Sequence, residues 1–201
     1  MADYRAVKVA CEAVIHLLRT SYRPEDFGNH HLEFKVYLPG NFAQHMDAGV
    51  SLFLYRIYHN GSHRTPNGRT SADGRRYRTK LPVDLHCLLT AWGADATLQH
   101  TIAGWMMRTL EDGPVIPASF LNAIEPDVFS APDEALEVCL TELTTEDLFR
   151  IWETITDKMY QLSVPYVIRN VRIESSEEIT HGEKIQRREF DYAVNASGSE
   201  R

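Results

Sequence analysis

Val7, Cys11, Val14 and Leu18 recur at helical spacing near the start of the chain, flanked by Ala10 and Leu17. Arg5, Lys8, Glu12, His16 and Arg19 fall on the opposite side. The pattern predicts an amphipathic helix over 3–20, with Asp3 available to cap it. A loop marked by Pro24 and Gly28 follows, and residues 32–38 then alternate apolar and polar, the period of a half-buried strand that ends at Pro39-Gly40. Over 50–58 both faces are apolar: Val50, Leu52 and Leu54 on one, Phe53, Tyr55 and Ile57 on the other. A strand of that kind belongs in the middle of a covered sheet.

Residues 59–78 carry no periodicity, and Gly61, Pro66, Gly68 and Gly74 break any long element. A second central strand is predicted over 81–92, with Leu81, Val83, Leu85, Cys87 and Leu89 on one side. Helical spacing returns over 94–110 through Leu98, Ile102, Trp105, Met106 and Leu110, and Gly113-Pro114 stops it. One helical turn over 119–124 and a strand over 135–143 come next. Thr144-Thr145-Glu146-Asp147 starts a helix in capping-box fashion, with Leu148, Ile151, Trp152, Ile155 and Met159 as its buried stripe. The last strong strand is 162–173, where Pro165 predicts an edge position or a bulge. The order α-β-β-β-α-β-α-β predicts an α/β (α+β) fold, a mixed β-sheet packed by helices, because the consecutive early strands exclude a simple βα wind.

Composition turns polar after residue 173, which divides the chain into a domain over 1–173 and a C-terminal tail or arm over 174–201. Within the tail, Phe190, Tyr192 and Val194 alternate with Glu189, Asp191 and Ala193, so 184–194 is expected to form one added strand behind a polar connector. The chain has 201 residues, about one domain's worth. No apolar run reaches the length of a membrane span, and the first residues lack the apolar core of a signal peptide. The expectation is a protein folded in the cytoplasm with no membrane partner.

The three cysteines, Cys11, Cys87 and Cys139, are too scattered for a disulfide framework. No glycine-rich phosphate loop, nucleophile elbow or zinc-helix motif occurs, so no cofactor, metal or catalytic residue is assigned. Two local arrangements remain. Asp84 and His86 share a strand face and supply two of the three members of a hydrolase triad, or simply form the polar side of that strand. His59 and His63 bracket a turn without a third candidate ligand nearby. The formal net charge of −7 argues against generic nucleic-acid binding. Against it stands a basic loop over 59–80, where Arg64, Arg69, Arg75, Arg76, Arg78 and Lys80 face one acid, Asp73. That loop is a contact arm for an acidic protein surface or a nucleic-acid backbone, or else a solvated tip.

Five stretches, taken in order, resemble the cap or tail-terminator proteins of bacterial contractile injection systems, the phage-tail-like particles that include extracellular ones. They are Gly49 to Asn60, Leu81 to Trp92, Met107 to Leu110 with Pro114-Val115-Ile116, Leu143 to Trp152, and Leu162 to Tyr166 leading into Val171 to Ile173. The resemblance runs from about residue 5 to residue 173. It departs at Pro165, and longer relatives continue into further C-terminal sequence. It implies a structural, non-enzymatic cap: a six-fold ring of this chain at the end of the tail distal to the baseplate. That ring stops inner-tube growth and anchors the sheath, so its partners are itself, tube subunits and sheath subunits, with no small-molecule substrate. Such a protein is cytoplasmic during assembly and then part of a particle with released, extracellular forms. The contact candidates, read from the loop's charge and the arm's alternation, are Arg64, Arg69, Arg75, Arg76, Arg78 and Lys80 of the loop, with Phe190, Tyr192 and Val194 of the arm. The alternatives are a phage tail-completion or head–tail joining protein, a hydrolase using Asp84 and His86, and a nucleic-acid-binding module using loop 59–80.

Overall fold

The computed structural model describes residues 2–44, 46–63, 69–70, 74–129, 134–156 and 160–179. The first helix, α1 (Ala6–Ser21), starts later than its periodicity predicts. Asp3 belongs to the turn before it, where its side chain accepts from the Arg5 amide at 2.8 Å and its carbonyl from the Ala6 amide at 3.0 Å. Two long strands follow a short one: β1 (Glu33–Tyr37) and β2 (Gly49–His59), then, past the small ribbon β3 (Arg69–Thr70) and β4 (Arg76–Tyr77), β5 (Leu81–Trp92). The rest of the chain forms α2 (Ala96–Asp112), β6 (Val115–Pro117), α3 (Ala118–Ile124), β7 (Ala135–Leu140), α4 (Thr145–Ile155) and β8 (Ser163–Ile173). Side-chain caps set two of these helix starts: Asp95 accepts from the Leu98 amide at 2.8 Å, and Thr144 from the Asp147 amide at 3.1 Å.

Six strands form one mixed sheet in the order β1-β2-β5-β8-β7-β6, in which only β1 and β2 run parallel. One face carries Leu52, Leu85, Cys87, Leu89 and Ile168 against α1, α2 and α3. The other carries Phe53, Leu88 and Trp92 against Tyr37, Phe42 and Trp152, the last from α4. β5 is buried on its first-core side through Val83, Leu85, Cys87 and Leu89, and on the other side at Leu88 and Trp92, while Asp84 and His86 keep part of that second side polar. Burying Leu85, Leu88 and Leu89 stabilises by about 1.5–3 kcal/mol each. Two polar contacts are buried on the second side: Trp92 Nε1 donates to Ser51 Oγ at 2.8 Å, and the Thr90 and Ser163 hydroxyls meet at 2.9 Å.

Several expectations are corrected. β8 is an interior strand between β5 and β7, so Pro165 marks no edge. Its carbonyl accepts from the Thr141 amide at 3.2 Å, just beyond the end of β7, so the missing N–H falls where that ladder has stopped and the β5 ladder loses nothing. The bulge in β8 lies elsewhere, at Arg169-Asn170 opposite Asp84, with Asn170 at φ 65°. The strand over 32–38 does not bury one regular face either. Val36 and Leu38 are 40% and 71% exposed, whereas Tyr37 is buried, because β1 is an edge strand and Tyr37 turns into the second core against Phe42. β1 stops opposite Phe53, and Ile57, expected in a covered centre, is half exposed beyond it. β6 was not foreseen. In α4 only Trp152 is fully buried; Leu148, Ile151 and Ile155 are partly so, and Met159 lies outside the described residues.

Tyr166 of β8 is 2% exposed, and its hydroxyl has no hydrogen-bond partner among the described residues. Burial pushes its pKa up to about 12. Below pH 10 the hydroxyl is protonated both folded and unfolded. Between pH 10 and 12 the unfolded chain loses the proton first, so stability falls as pH rises, by about 1.4 kcal/mol per unit. Tyr166→Phe is expected to flatten that fall and, below pH 10, to stabilise by about 1–3 kcal/mol, because it removes an unsatisfied buried hydroxyl. Urea unfolding of both proteins across the alkaline range measures the difference.

Candidate contact surfaces

Loop 59–80 begins where β2 leaves the sheet and returns at β5, and its middle pairs as the β3–β4 ribbon, Arg69 with Tyr77 and Thr70 with Arg76. The segment after β8, read from the sequence as a free polar connector, is bonded back onto this ribbon. The Glu174 amide donates to the Ala2 carbonyl at 2.7 Å, the Arg78 amide to the Glu177 carbonyl at 3.2 Å and the Ile179 amide to the Arg76 carbonyl at 2.6 Å. Charge drives the same docking. Lys80 Nζ lies 2.5 Å from Glu174 and 3.6 Å from Glu134, and Arg78 lies 2.8 Å from Glu177. Among the described residues, Arg78 and Lys80 thus have acidic partners within the chain. Arg75 is exposed and Arg76 partly so. Arg69 is placed by its backbone pairing alone, while Arg64 and the arm residues Phe190, Tyr192 and Val194 lie outside the described residues.

Asp84 and His86 do share a face of β5, and the Asp84 charge acts on His86, but no hydrogen bond joins them. Asp84 accepts from Asn60 Nδ2 at 3.0 Å, and His86 sits among aromatic rings, 5.0 Å from Tyr58 and 6.2 Å from Tyr55. Arg56 in turn lies 3.8 Å above the Tyr58 ring. Burial lowers the His86 pKa; Asp84 opposes the shift, while Arg56 and Arg169 reinforce it. The pair therefore lacks the carboxylate–imidazole bond by which a triad orients its base. The bulges in β2 and β8 shape a polar hollow of 410 Å³ beside Asp84, lined also by Asn60, Glu137 and Arg169. His59 is exposed, and among the described residues no three His, Cys, Asp or Glu side chains group to hold a metal. Nor is any described helix long and apolar enough to cross a membrane.

The sheet ends in two unlike edges. β6 is three residues long and closes on Pro117, whereas β1 is regular and carries exposed Val36. Further exposed apolar side chains include Val115 of β6, Leu140 at the end of β7, and the ring pair of Phe149 in α4 with Tyr160. Sequence reasoning did not single these out: Val36 and Leu140 sit within strand patterns that normally read as core, and Val115, Phe149 and Tyr160 lie off the buried stripes that the spacing predicts.

The profile of the family described as the Pvc16 N-terminal domain matches residues 10–187, which is most of the chain. The chain belongs to the Pvc16 N-terminal domain family. Two solved structures share the fold of this family member. One is a sheath/tube terminator, in the extended state, of an extracellular contractile injection system, PVC; it is 16% identical, with a TM-score of 0.62 over 99% of this chain and 66% of that one. The other is the tube-terminating cap of the anti-feeding prophage, 18% identical, with a TM-score of 0.58 over 88% of this chain and 59% of that one. The Pvc16-like domain thus spans somewhat less than two thirds of the length of each. No curated protein matches.

Proposed function

We propose that this chain is a structural cap of a contractile, phage-tail-like injection particle, forming a six-fold ring that terminates the inner tube and anchors the distal end of the sheath. The observation that carries the reading is the correspondence of nearly the whole chain with a sheath/tube terminator, together with membership of the Pvc16 N-terminal domain family. The role is architectural, not catalytic: the described surface offers strand edges and exposed apolar side chains, and Asp84 is bonded to Asn60, not His86. A closed ring needs heterologous interfaces, and unlike edges on one sheet are suited to them. The partners are further copies, tube subunits and sheath subunits. Assembly takes place in the cytoplasm, and the cap leaves with the particle.

The test is electron microscopy of the purified protein, alone and with sheathed tubes. Six-fold class averages, or density at one tube end, support the cap. A strictly monomeric protein that leaves both tube and sheath ends bare refutes it. The ribbon supplies salt-sensitive contacts in this reading. Changing Arg64, Arg69, Arg75 and Arg76 together to Ser is expected to weaken ring or tube association by on the order of 1–4 kcal/mol, since each exposed pair contributes ~0.2–1 kcal/mol. That corresponds to roughly 5- to 1000-fold in affinity, with little change in melting temperature, because the ribbon's backbone bonds survive. Sedimentation at two salt concentrations reads the effect.

A further inference from the structure

We propose that the outer edge of β1 receives residues 184–194 of a second copy of this chain as an added strand; this deepens the ring reading and rests on it for the presence of a neighbour. In the parallel β1–β2 ladder the Glu33 amide donates to the Ala48 carbonyl at 3.0 Å, so the backbone of Glu33, Lys35 and Tyr37 faces β2, and that of Phe34, Val36 and Leu38 faces outward. The fold occupies only the ends of this outward row. Arg19 donates to the Phe34 carbonyl at 2.8 Å, and the Leu38 amide donates to Asn41 Oδ1 at 2.7 Å. Between them the Val36 amide and carbonyl have no partner strand among the described residues. Beside this edge runs a groove of 570 Å³ with apolar walls from Ile15, Phe34, Val36 and Ile124. The opposite edge is a poor template, since β6 has three residues and its last, Pro117, has no amide to offer.

The occupant follows from pattern and charge. Along 184–194, Phe190, Tyr192 and Val194 share one side of an extended strand, and Glu189 and Asp191 share the other. Laid on β1, the apolar side covers the groove and the exposed Val36 side chain. The acidic side then meets Lys35, whose side chain is 56% exposed on the opposite face and is paired among the described residues with Glu33. The added strand joins main-chain bonds to side-chain selection, as in other strand-addition interfaces. A neighbouring copy is the source because of where the described chain ends. Ile179 is bonded to Arg76 on the ribbon that springs from the His59 end of β2, whereas β1 pairs with the Gly49–Phe53 end. The arm therefore departs at the opposite end of β2 from its own groove.

The test uses two full-length variants, Val36→Cys and Tyr192→Cys, each also carrying Cys139→Ser because Cys139 is the partly exposed native thiol while Cys11 and Cys87 are buried. They are mixed and oxidised with glutathione disulfide. The expected result is a cross-linked heterodimer about ten-fold above a Val115→Cys control, whose thiol lies on the other edge, and its loss when Phe190→Ser and Val194→Ser are added to the arm. No excess over the control overturns the inference, as does a cross-link within one chain carrying both cysteines. Tube capping is scored on the same proteins. Capping without the cross-link refutes this placement and leaves the cap reading standing, whereas the cross-link without capping does the reverse.

Discussion

Replacing Gly49 with alanine is expected to destabilise the protein by about 4 kcal/mol, from backbone strain of about 1–3 kcal/mol and overpacking of similar size. Gly49 opens β2 at φ +145°, a conformation that L side chains rarely adopt. An added Cβ would also stand 2.7 Å from the Glu33 amide nitrogen and nearer still to its carbonyl oxygen. These are backbone atoms of the paired β1 residue, so relief requires β1 to move away from β2 and give up the Glu33 amide bond to Ala48. The urea midpoint should fall by roughly 2 M with an unchanged slope. Gly104→Ala is the comparator: it lies exposed inside α2 with nothing within 4 Å of a new Cβ, and should gain about 1 kcal/mol. A Gly49→Ala protein within 1 kcal/mol of wild type would mean that β1 is free to shift.

Elements with a strong period, or with a cap spelled in their residues, were legible before any coordinates. β2 follows from a run apolar on both faces, β5 from an apolar alternation along one face, and α2 and α4 from helical stripes. The Thr144 cap is carried by residue types that favour such a geometry. What could not be read is arrangement. A proline inside a strand argues for an edge only if every N–H along the strand is needed, and at Pro165 the neighbouring strand has already ended. The alternation of 32–38 is genuine, but which of its apolar residues are covered depends on the position of β1 in the sheet. Val36 and Leu38 therefore stay exposed while Tyr37 is buried. β6 is too short to carry a period.

The contact surfaces were legible only as composition. Counting bases in 59–80 locates a basic segment, but not the acids that fold back onto it. Glu134, Glu174 and Glu177 lie far along the chain from Arg78 and Lys80, and nothing in local spacing links them. Asp84 and His86 show the converse. Period-2 placement puts them on one face, as expected, but the hydrogen bond that decides their use runs from Asn60, across the strand pairing. The resemblance to tail terminators supplied the functional direction. The Pvc16 N-terminal domain match covers much the same stretch, though the resemblance alone could not say which edge of the sheet remains open.

Trp152→Ala is expected to cost about 3–5 kcal/mol, the range for truncating a buried large aromatic, and to release α4 ahead of the rest of the fold. Trp152 is 4% exposed and stacks 5.4 Å from Phe42, 5.6 Å from Tyr160 and 6.5 Å from Trp92, joining α4 to the second core. Little else fastens the helix. Leu148, Ile151 and Ile155 are only partly buried, and the exposed Glu146–Arg150 pair contributes about 0.3–0.5 kcal/mol. Hydrogen exchange should show amides of 148–155 losing protection while those of β5 and β8 keep theirs, because the first core does not involve α4. Trp152→Phe separates packing from polarity. The indole Nε1 is buried without a hydrogen-bond partner among the described residues, so removing it offsets part of the lost volume, and the cost should fall to about 1 kcal/mol or less. If α4 stays protected in Trp152→Ala, the helix is held by its partly buried residues and the aromatic cluster is not its anchor.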